Sequence, residues 1–200
     1  MNLPNTIILG LGFQTGVGKT SIAHYLVNEY GFVRMSIAQK LKEIAGNLFS
    51  QEIDAKFKSQ IVLNSTGREF LQKLAEFLRA ECGPDFFVCN MNLRTHNIRH
   101  RRIVVDDVRF AEEVRYLQRI GGKCFKITRP NHMHFADDPE LKWSGKDAKW
   151  NSVVRNVDIP FAGDLIMRII AGEEQENIDD HDEIYQPRHF TASAIVPVEH

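Results

Sequence analysis

Lys19 and Thr20 set a long ammonium and a hydroxyl directly behind a glycine-rich turn, Gly16-Val17-Gly18-Lys19-Thr20, in the stretch TIILGLGFQTGVGKTSIAHYLVNEY from Thr6 to Tyr30. Glycines let a chain curl until successive backbone N–H groups converge on one anion, and a following helix N-terminus adds its partial positive charge. Gly16, Val17, Gly18, Lys19, Thr20 and Ser21 are therefore candidate ligands of a nucleotide's phosphates, with Lys19 reaching the outer ones and Thr20 offering its hydroxyl to Mg²⁺. The full pattern G-x-x-x-x-G-K-[ST] calls for glycine at position 13, where this chain has Phe13, with Gly12 one step early. A glycine-rich turn of purely structural use is the competing reading.

A second group of chemically capable residues follows the apolar run Ile103-Val104-Val105, as Asp106-Asp107-Val108-Arg109-Phe110. In open α/β sheets ligands bind beyond the carboxyl ends of strands. There a carboxylate can hold Mg²⁺ through water and an arginine can meet a phosphate, which makes Asp107 and Arg109 candidates, Asp107 ahead of Asp106. A turn aspartate bonded to backbone is the alternative. A third candidate is Arg68. Thr66 and Glu69 form the signature of a capping box, so Arg68 falls in a helix's first turn, the unfavourable end for a cation unless an anion is nearby. Lys42 stays open between a solvated helix lysine and a phosphate or base contact.

These residues need a frame. Thr6–Leu11 reads as a buried strand, and Ile22, Tyr25, Leu26 and Tyr30 give the helical spacing a phosphate loop requires behind it. Phe32–Met35 is a short extended run. Ser36 is expected to cap a helix carrying Ile37, Leu41, Ile44 and Leu48. Residues 50–65 read as a short helix plus loop. Phe70, Leu71, Leu74, Phe77 and Leu78 stripe the helix after Thr66, and Asp85 is expected to cap another. Ile103–Val105, Lys123–Thr128 and Val153–Val157 complete five strands, with a helix from Ala111 to Ile120 and a last one after Pro160. Strands alternating with helices predict an α/β fold with a mostly parallel five-stranded sheet covered on both faces. Residues 1–172 form the expected domain, and 173–200, with EEQENIDDHDE, an acidic and irregular tail.

At 200 residues, 43% of them hydrophobic, the chain suits one domain with a proper core, and a formal net charge of −1 gives no whole-chain argument for nucleic acid or an anionic membrane. The basic run Arg94–Arg102 carries no aromatic residue for base stacking, so nucleic acid is disfavoured. Cys82, Cys89 and Cys124 form no C-x-x-C pair and read as reduced thiols of a cytoplasmic protein. MNLPNT lacks the marks of a signal peptide, and no apolar run approaches a bilayer's span. His132 and His134 read as loop histidines. Oligomeric state, a homodimer included, is left open.

Three blocks in order carry a family resemblance. GFVRMSIAQKLKEIAGNLF is similar to G-F-x-x-x-S-F-A-D-P-L-K, with Gln39 and Lys40 at the aspartate and proline. TGREFLQKLAEFLRAECGPDFFVCNM is similar to T-P-R-E-x-L-Q, with Gly67 at the proline. D-V-R-F matches Asp107, Val108, Arg109 and Phe110 without a gap, and RFAEEVRYLQRIGGKCFKITRP continues it. Together they resemble the bacteriophage-type deoxynucleoside monophosphate kinases, a P-loop family related in fold to adenylate kinase, over roughly residues 6–172. The resemblance implies a three-layer P-loop kinase fold with a lid at about 131–150, where Lys142, Lys146 and Lys149 are available above Arg129. It implies ATP and Mg²⁺, small-molecule nucleotide substrates, and a binding set for the acceptor of Ser36, Lys42, Arg68, Gln72 and Arg109. Lys19, Arg68, Asp107 and Arg109 become the expected catalytic residues, with Thr20 and Asp107 on the metal. Two alternatives stand beside it: a kinase of another small acceptor such as dephospho-coenzyme A, and a nucleotide-binding sensor without transfer. A GTPase is disfavoured because no N-K-x-D motif occurs.

Overall fold

A computed structural model describes residues 6–62, 65–91, 102–130 and 148–175. The expected lid falls mostly outside the described residues, with Lys142, Lys146 and both loop histidines; so do residues 94–101 of the basic run and the tail beyond 175.

The sheet is built from β1 (Ile7–Gly12), β2 (Val33–Met35), β5 (Arg102–Val108), β6 (Lys123–Thr128) and β7 (Ser152–Arg155), in the order β2-β5-β1-β6-β7 with every pairing parallel. Parallel neighbours need crossovers, and helices supply them on both faces. Alternation along the strands sorts the core. Ile7, Leu9, Leu11, Val104, Phe125 and Ile127 pack on one face against α1 (Lys19–Tyr30) and the last helix, α7 (Ile159–Ala171). Ile103, Val105 and Cys124 face the other way, onto α6 (Ala111–Arg119), α5 (Phe86–Asn90) and α4 (Gly67–Cys82). The expected mostly parallel α/β fold is the one found.

α1 and α7 are tied across their contact by Tyr25 and Tyr30, whose hydroxyls donate to Asp164 Oδ1 at 2.7 and 2.8 Å. α7 begins as Asp158 accepts from the Phe161 N–H at 2.8 Å, with Pro160 in the first turn.

A small satellite core of Ala45, Ile53, Phe57, Val62 and Leu71 joins α2 (Gln39–Phe49), α3 (Ala55–Ser59) and α4. Here the expectations needed correction. Residues 50–65 contain α3, capped by Asp54, and then an antiparallel pair, β3 (Ile61–Val62) and β4 (Ser65–Thr66). Two-residue strands are too short to leave an alternation in the sequence. Ser36 caps no helix: α2 starts at Gln39, and the Ser36 hydroxyl donates to Asp107 Oδ2 at 2.6 Å. Asp85 stands at the N-cap of α5 but makes no side-chain cap bond; it accepts instead from Cys89 Sγ. The capping box at the start of α4 is present, with Glu69 N–H donating to Thr66 Oγ1 at 3.2 Å and Thr66 N–H to Glu69 Oε2 at 2.9 Å.

Candidate functional site

Gly12 ends β1 and the chain turns sharply into α1. Phe13, Gly16 and Gly18 all adopt left-handed backbone, with φ of 89°, 81° and 92°. Gly18 is doubly required, since a Cβ there would also overlap the Asn156 side chain. Phe13 takes by constraint the conformation glycine takes freely, and its ring lies under Lys126, whose Nζ is 4.2 Å from the ring centroid. The Lys19 ammonium is folded over the loop and donates to the carbonyls of Phe13, at 3.2 Å, and Gln14. From the far side, buried Asn156 at the end of β7 donates Nδ2 to the carbonyl of fully buried Val17 at 2.7 Å. Gly16, Val17 and Gly18 thus form a braced turn, with Lys19, Thr20 and Ser21 on the first turn of α1.

Strand alternation then separates the two aspartates. Asp106 shares parity with Val104 and points to the α1 face; Asp107 shares parity with Val105 and points to the α4 face. Accordingly Thr20 Oγ1 donates to Asp106 Oδ2 at 2.7 Å, and Arg34 reaches the same oxygen at 2.9 Å. Thr20 therefore meets Asp106 and not Asp107, the residue expected beside it on the metal. Asp107 is held by the segment before α2 instead: Oδ2 accepts from Ser36 Oγ and the Ala38 N–H, Oδ1 from the Ile37 N–H, at 2.6 to 2.9 Å. Asp106 Oδ1 is buried and has no hydrogen-bond partner among the described residues. Buried carboxylate oxygens rarely stay unpaired, and a hydroxyl beside a carboxylate is a hard oxygen set of the kind Mg²⁺ takes, so Thr20 and Asp106 fit that ion.

On the α4 face lies a cavity of about 460 Å³ whose wall includes Thr15 of the loop, Asp107 at the end of β5, and the expected acceptor-binding residues Lys42, Arg68, Gln72 and Arg109. Ser36, expected beside them, does not line the cavity; its hydroxyl bonds Asp107, which does. Arg68 and Gln72 stand one turn apart on α4, so the helix presents both to the same side.

Arg79 and Glu113, neither of them expected from the sequence, also line the cavity. Glu113 on α6 is buried, and its Oε2 accepts from the N–H groups of Arg109 and Phe110 at 2.7 and 3.0 Å. Burial pushes its carboxyl pKa up to about 7, against the pull of those donors and of Arg79. Arg79 lies 3.5 Å from Glu113 Oε1, and its guanidinium carbon is 4.0 Å from the Phe110 ring centroid and 4.8 Å from that of Phe87. Burial lowers the Arg79 pKa, with Glu113 opposing. The available signal for Arg79 was its place eleven residues after Arg68, three helical turns on the same face.

A buried parallel strand, a braced glycine turn, a lysine and threonine opening a helix, and an aspartate at the next strand's end are thus gathered at the carboxyl end of an α/β sheet, where ligands of such sheets bind. No protein-family model matches the chain. Over 144 residues it is 28% identical to a protein of Acanthamoeba polyphaga mimivirus provisionally named deoxynucleotide monophosphate kinase, a match covering 62% of this chain and 75% of that one. Among solved structures it is similar to TT1252 from Thermus thermophilus, with a TM-score of 0.49 and 16% identity over 85% of this chain and 98% of that one. It is also similar to the dephospho-CoA kinase from Campylobacter jejuni, with a TM-score of 0.41 and 15% identity over 85% and 99%. Among the described residues no helix is long and apolar enough to cross a membrane.

Proposed function

We propose that the protein is a deoxynucleoside monophosphate kinase of the kind its bacteriophage-type motifs resemble, moving the γ-phosphoryl group of ATP to a (d)NMP to give ADP and a (d)NDP. The observation that carries this reading is the junction at Thr15, where the phosphate loop itself forms part of the wall of a cationic cavity of about 460 Å³. A donor held on the loop and an acceptor held in the cavity would meet there. The mimivirus relative's name supports the same reading.

The acceptor's phosphate oxygen is already anionic at neutral pH, so attack on the γ-phosphorus needs no general base, and catalysis reduces to positioning and charge neutralisation. Lys19 and the loop N–H groups hold the donor's phosphates. Thr20 and Asp106 would hold Mg²⁺, which supplies positive charge where negative charge accumulates during transfer. Arg68 and Arg109 bring positive charge to the acceptor's phosphate, while Lys42 and Gln72 line its cavity. Asp107 orders the Ser36–Ala38 segment that forms one rim of that cavity.

The test is a panel of deoxynucleoside and nucleoside monophosphates incubated with ATP and Mg²⁺. ADP and the matching diphosphate should appear together, and Lys19→Ala should abolish both while the circular dichroism spectrum is kept. Tight ATP binding with no acceptor-dependent ADP would instead favour a nucleotide sensor.

A further inference from the structure

Thr20 and Asp106 fit a divalent ion, yet Arg34 already engages the same carboxylate. Among the described residues Asp106 Oδ2 carries both of its partners, the Thr20 hydroxyl at 2.7 Å and the Arg34 guanidinium at 2.9 Å, while Oδ1 has none and is closed off from solvent. Neither oxygen is open to an ion unless a neighbour gives way. Placement decides which neighbour can. Arg34 on β2 stands in register with Val104 of β5, two residues before Asp106, so strand alternation sends both charged side chains to the α1 face. Thr20 is fixed in the first turn of α1, a helix whose Ile22, Ala23 and Leu26 are buried. Asp106 is 2% exposed, whereas Arg34, on the strand at the sheet's edge, keeps 39% of its side chain in solvent and can swing outward on its flexible stem. A carboxylate this buried needs a counter-charge, which Arg34 supplies. A second cation brought to the same oxygen would be repelled by the first. Because the Arg34 guanidinium and the Thr20 hydroxyl end on one oxygen, Arg34 also lies beside the turn that gathers phosphate-binding groups. A phosphate there offers the guanidinium new acceptors in place of Asp106.

We propose that Arg34 holds the place of the divalent ion at Asp106 and yields it only to a metal that arrives with a nucleotide's phosphates, so that the chain takes up metal and nucleotide together and metal alone poorly. The nucleotide in that statement rests on the kinase reading; the competition between Arg34 and a divalent cation rests on the geometry at Asp106. Arg34 thereby keeps the buried carboxylate neutralised and oriented while no metal is bound, and it makes metal affinity depend on the presence of phosphate. The coupling is reciprocal, so metal must tighten nucleotide by the same factor by which nucleotide tightens metal.

The test uses the full chain and Mn²⁺ as the metal. Free Mn²⁺ is counted by electron paramagnetic resonance with wild type, Arg34→Met and Arg34→Gln, each with and without ADP, and Asp106→Asn is added to each to mark what binds at that carboxylate. Without nucleotide, the Asp106-dependent affinity should rise about tenfold to hundredfold in both Arg34 variants, a span typical of coupled sites. With ADP present the variants should lie much nearer wild type, so the factor by which ADP tightens Mn²⁺ shrinks. A side chain needed only for folding would move affinity the other way, since its loss loosens the site. Mn²⁺ alone should also raise the melting midpoint of the variants more than that of wild type, which keeps the comparison readable in a less stable chain. Arg34→Gln keeps a donor for Oδ2 without the charge and carries the comparison if the methionine variant unfolds. Unchanged or weaker Mn²⁺ affinity in the Arg34 variants overturns the proposal, as does a gain that persists with Asp106→Asn. Failure of the kinase reading looks different: wild-type chain would form no acceptor-dependent ADP while Mn²⁺ uptake still answered to Arg34.

Discussion

Asn156 is the point where the far end of the sheet takes hold of the phosphate loop, and its removal should be felt twice. Its side chain is 4% exposed, and the Val17 carbonyl it serves belongs to a residue with no exposed surface. Asn156→Ala leaves that carbonyl dry and unpaired, a loss of about 1–3 kcal/mol. In a chain of this size each kcal/mol moves the midpoint by roughly 2–4 °C, so Tm should fall by about 2–12 °C. The Val17–Gly18 peptide is then freed to tilt, so ADP affinity should fall as well, because loop N–H groups bind an anion only while they converge. Asn156→Asp keeps the shape but removes the donor and sets a carboxylate against a carbonyl, so at pH 8 it should be less stable than the alanine variant. The assay is thermal and urea denaturation with an ADP titration on each variant. Asn151→Ala serves as the control: Asn151 accepts from the Cys124 N–H at 2.7 Å, away from the loop, so its loss should lower stability and leave ADP affinity alone. Stability in Asn156→Ala within about 0.5 kcal/mol of wild type, the range of a neutral surface substitution, would refute the clamp, as would unchanged ADP affinity.

The two neighbouring aspartates should separate cleanly. Asp106→Asn should weaken Mg²⁺-dependent nucleotide binding, measured with a fluorescent ATP analogue, with little effect on acceptor affinity; Asp107→Asn should loosen the Ser36–Ala38 segment, seen as faster hydrogen exchange, and raise the acceptor KM. The Glu113 carboxyl, raised from 4.5 to about 7 in the fold, is protonated at low pH in both folded and unfolded chains. Between those values the unfolded chain loses its proton first, so this group's contribution to stability declines as pH rises from about 4.5 to 7, by on the order of 3 kcal/mol. Glu113→Gln should gain on wild type over that interval in denaturation midpoints, and parallel pH profiles would show that Glu113 ionises normally.

Much of the frame was legible because its signals are local. Glycine curls, the Thr66–Glu69 box and the apolar runs of β1, β5 and β6 depend on neighbours in sequence, and all are where the residues suggested. What stayed hidden depends on parity and on distant partners. Asp106 and Asp107 look equivalent in the sequence, and only the face each takes on β5 decides that Thr20 meets the first. Ser36 looks like a cap because serine often is one, yet a carboxylate 71 residues away binds its hydroxyl more favourably. Leu48 fits the apolar stripe of α2 but is 63% exposed, because the satellite core that α2 covers is small. Arg79 and Glu113 read as ordinary charged helix residues, since nothing local announces that α4 and α6 bury them together.

Phe13 changes what a motif means in this molecule. The pattern names glycine at that position, but the turn's demand is for a torsion angle, and φ of 89° is met here by a residue carrying a benzyl group, with a lysine resting on its ring. A letter code records the cheapest occupant of a geometry rather than the geometry itself. Loops of this shape can therefore sit unnoticed in chains whose spelling differs by one residue, and a search on backbone torsions would recover them where a search on spelling passes over.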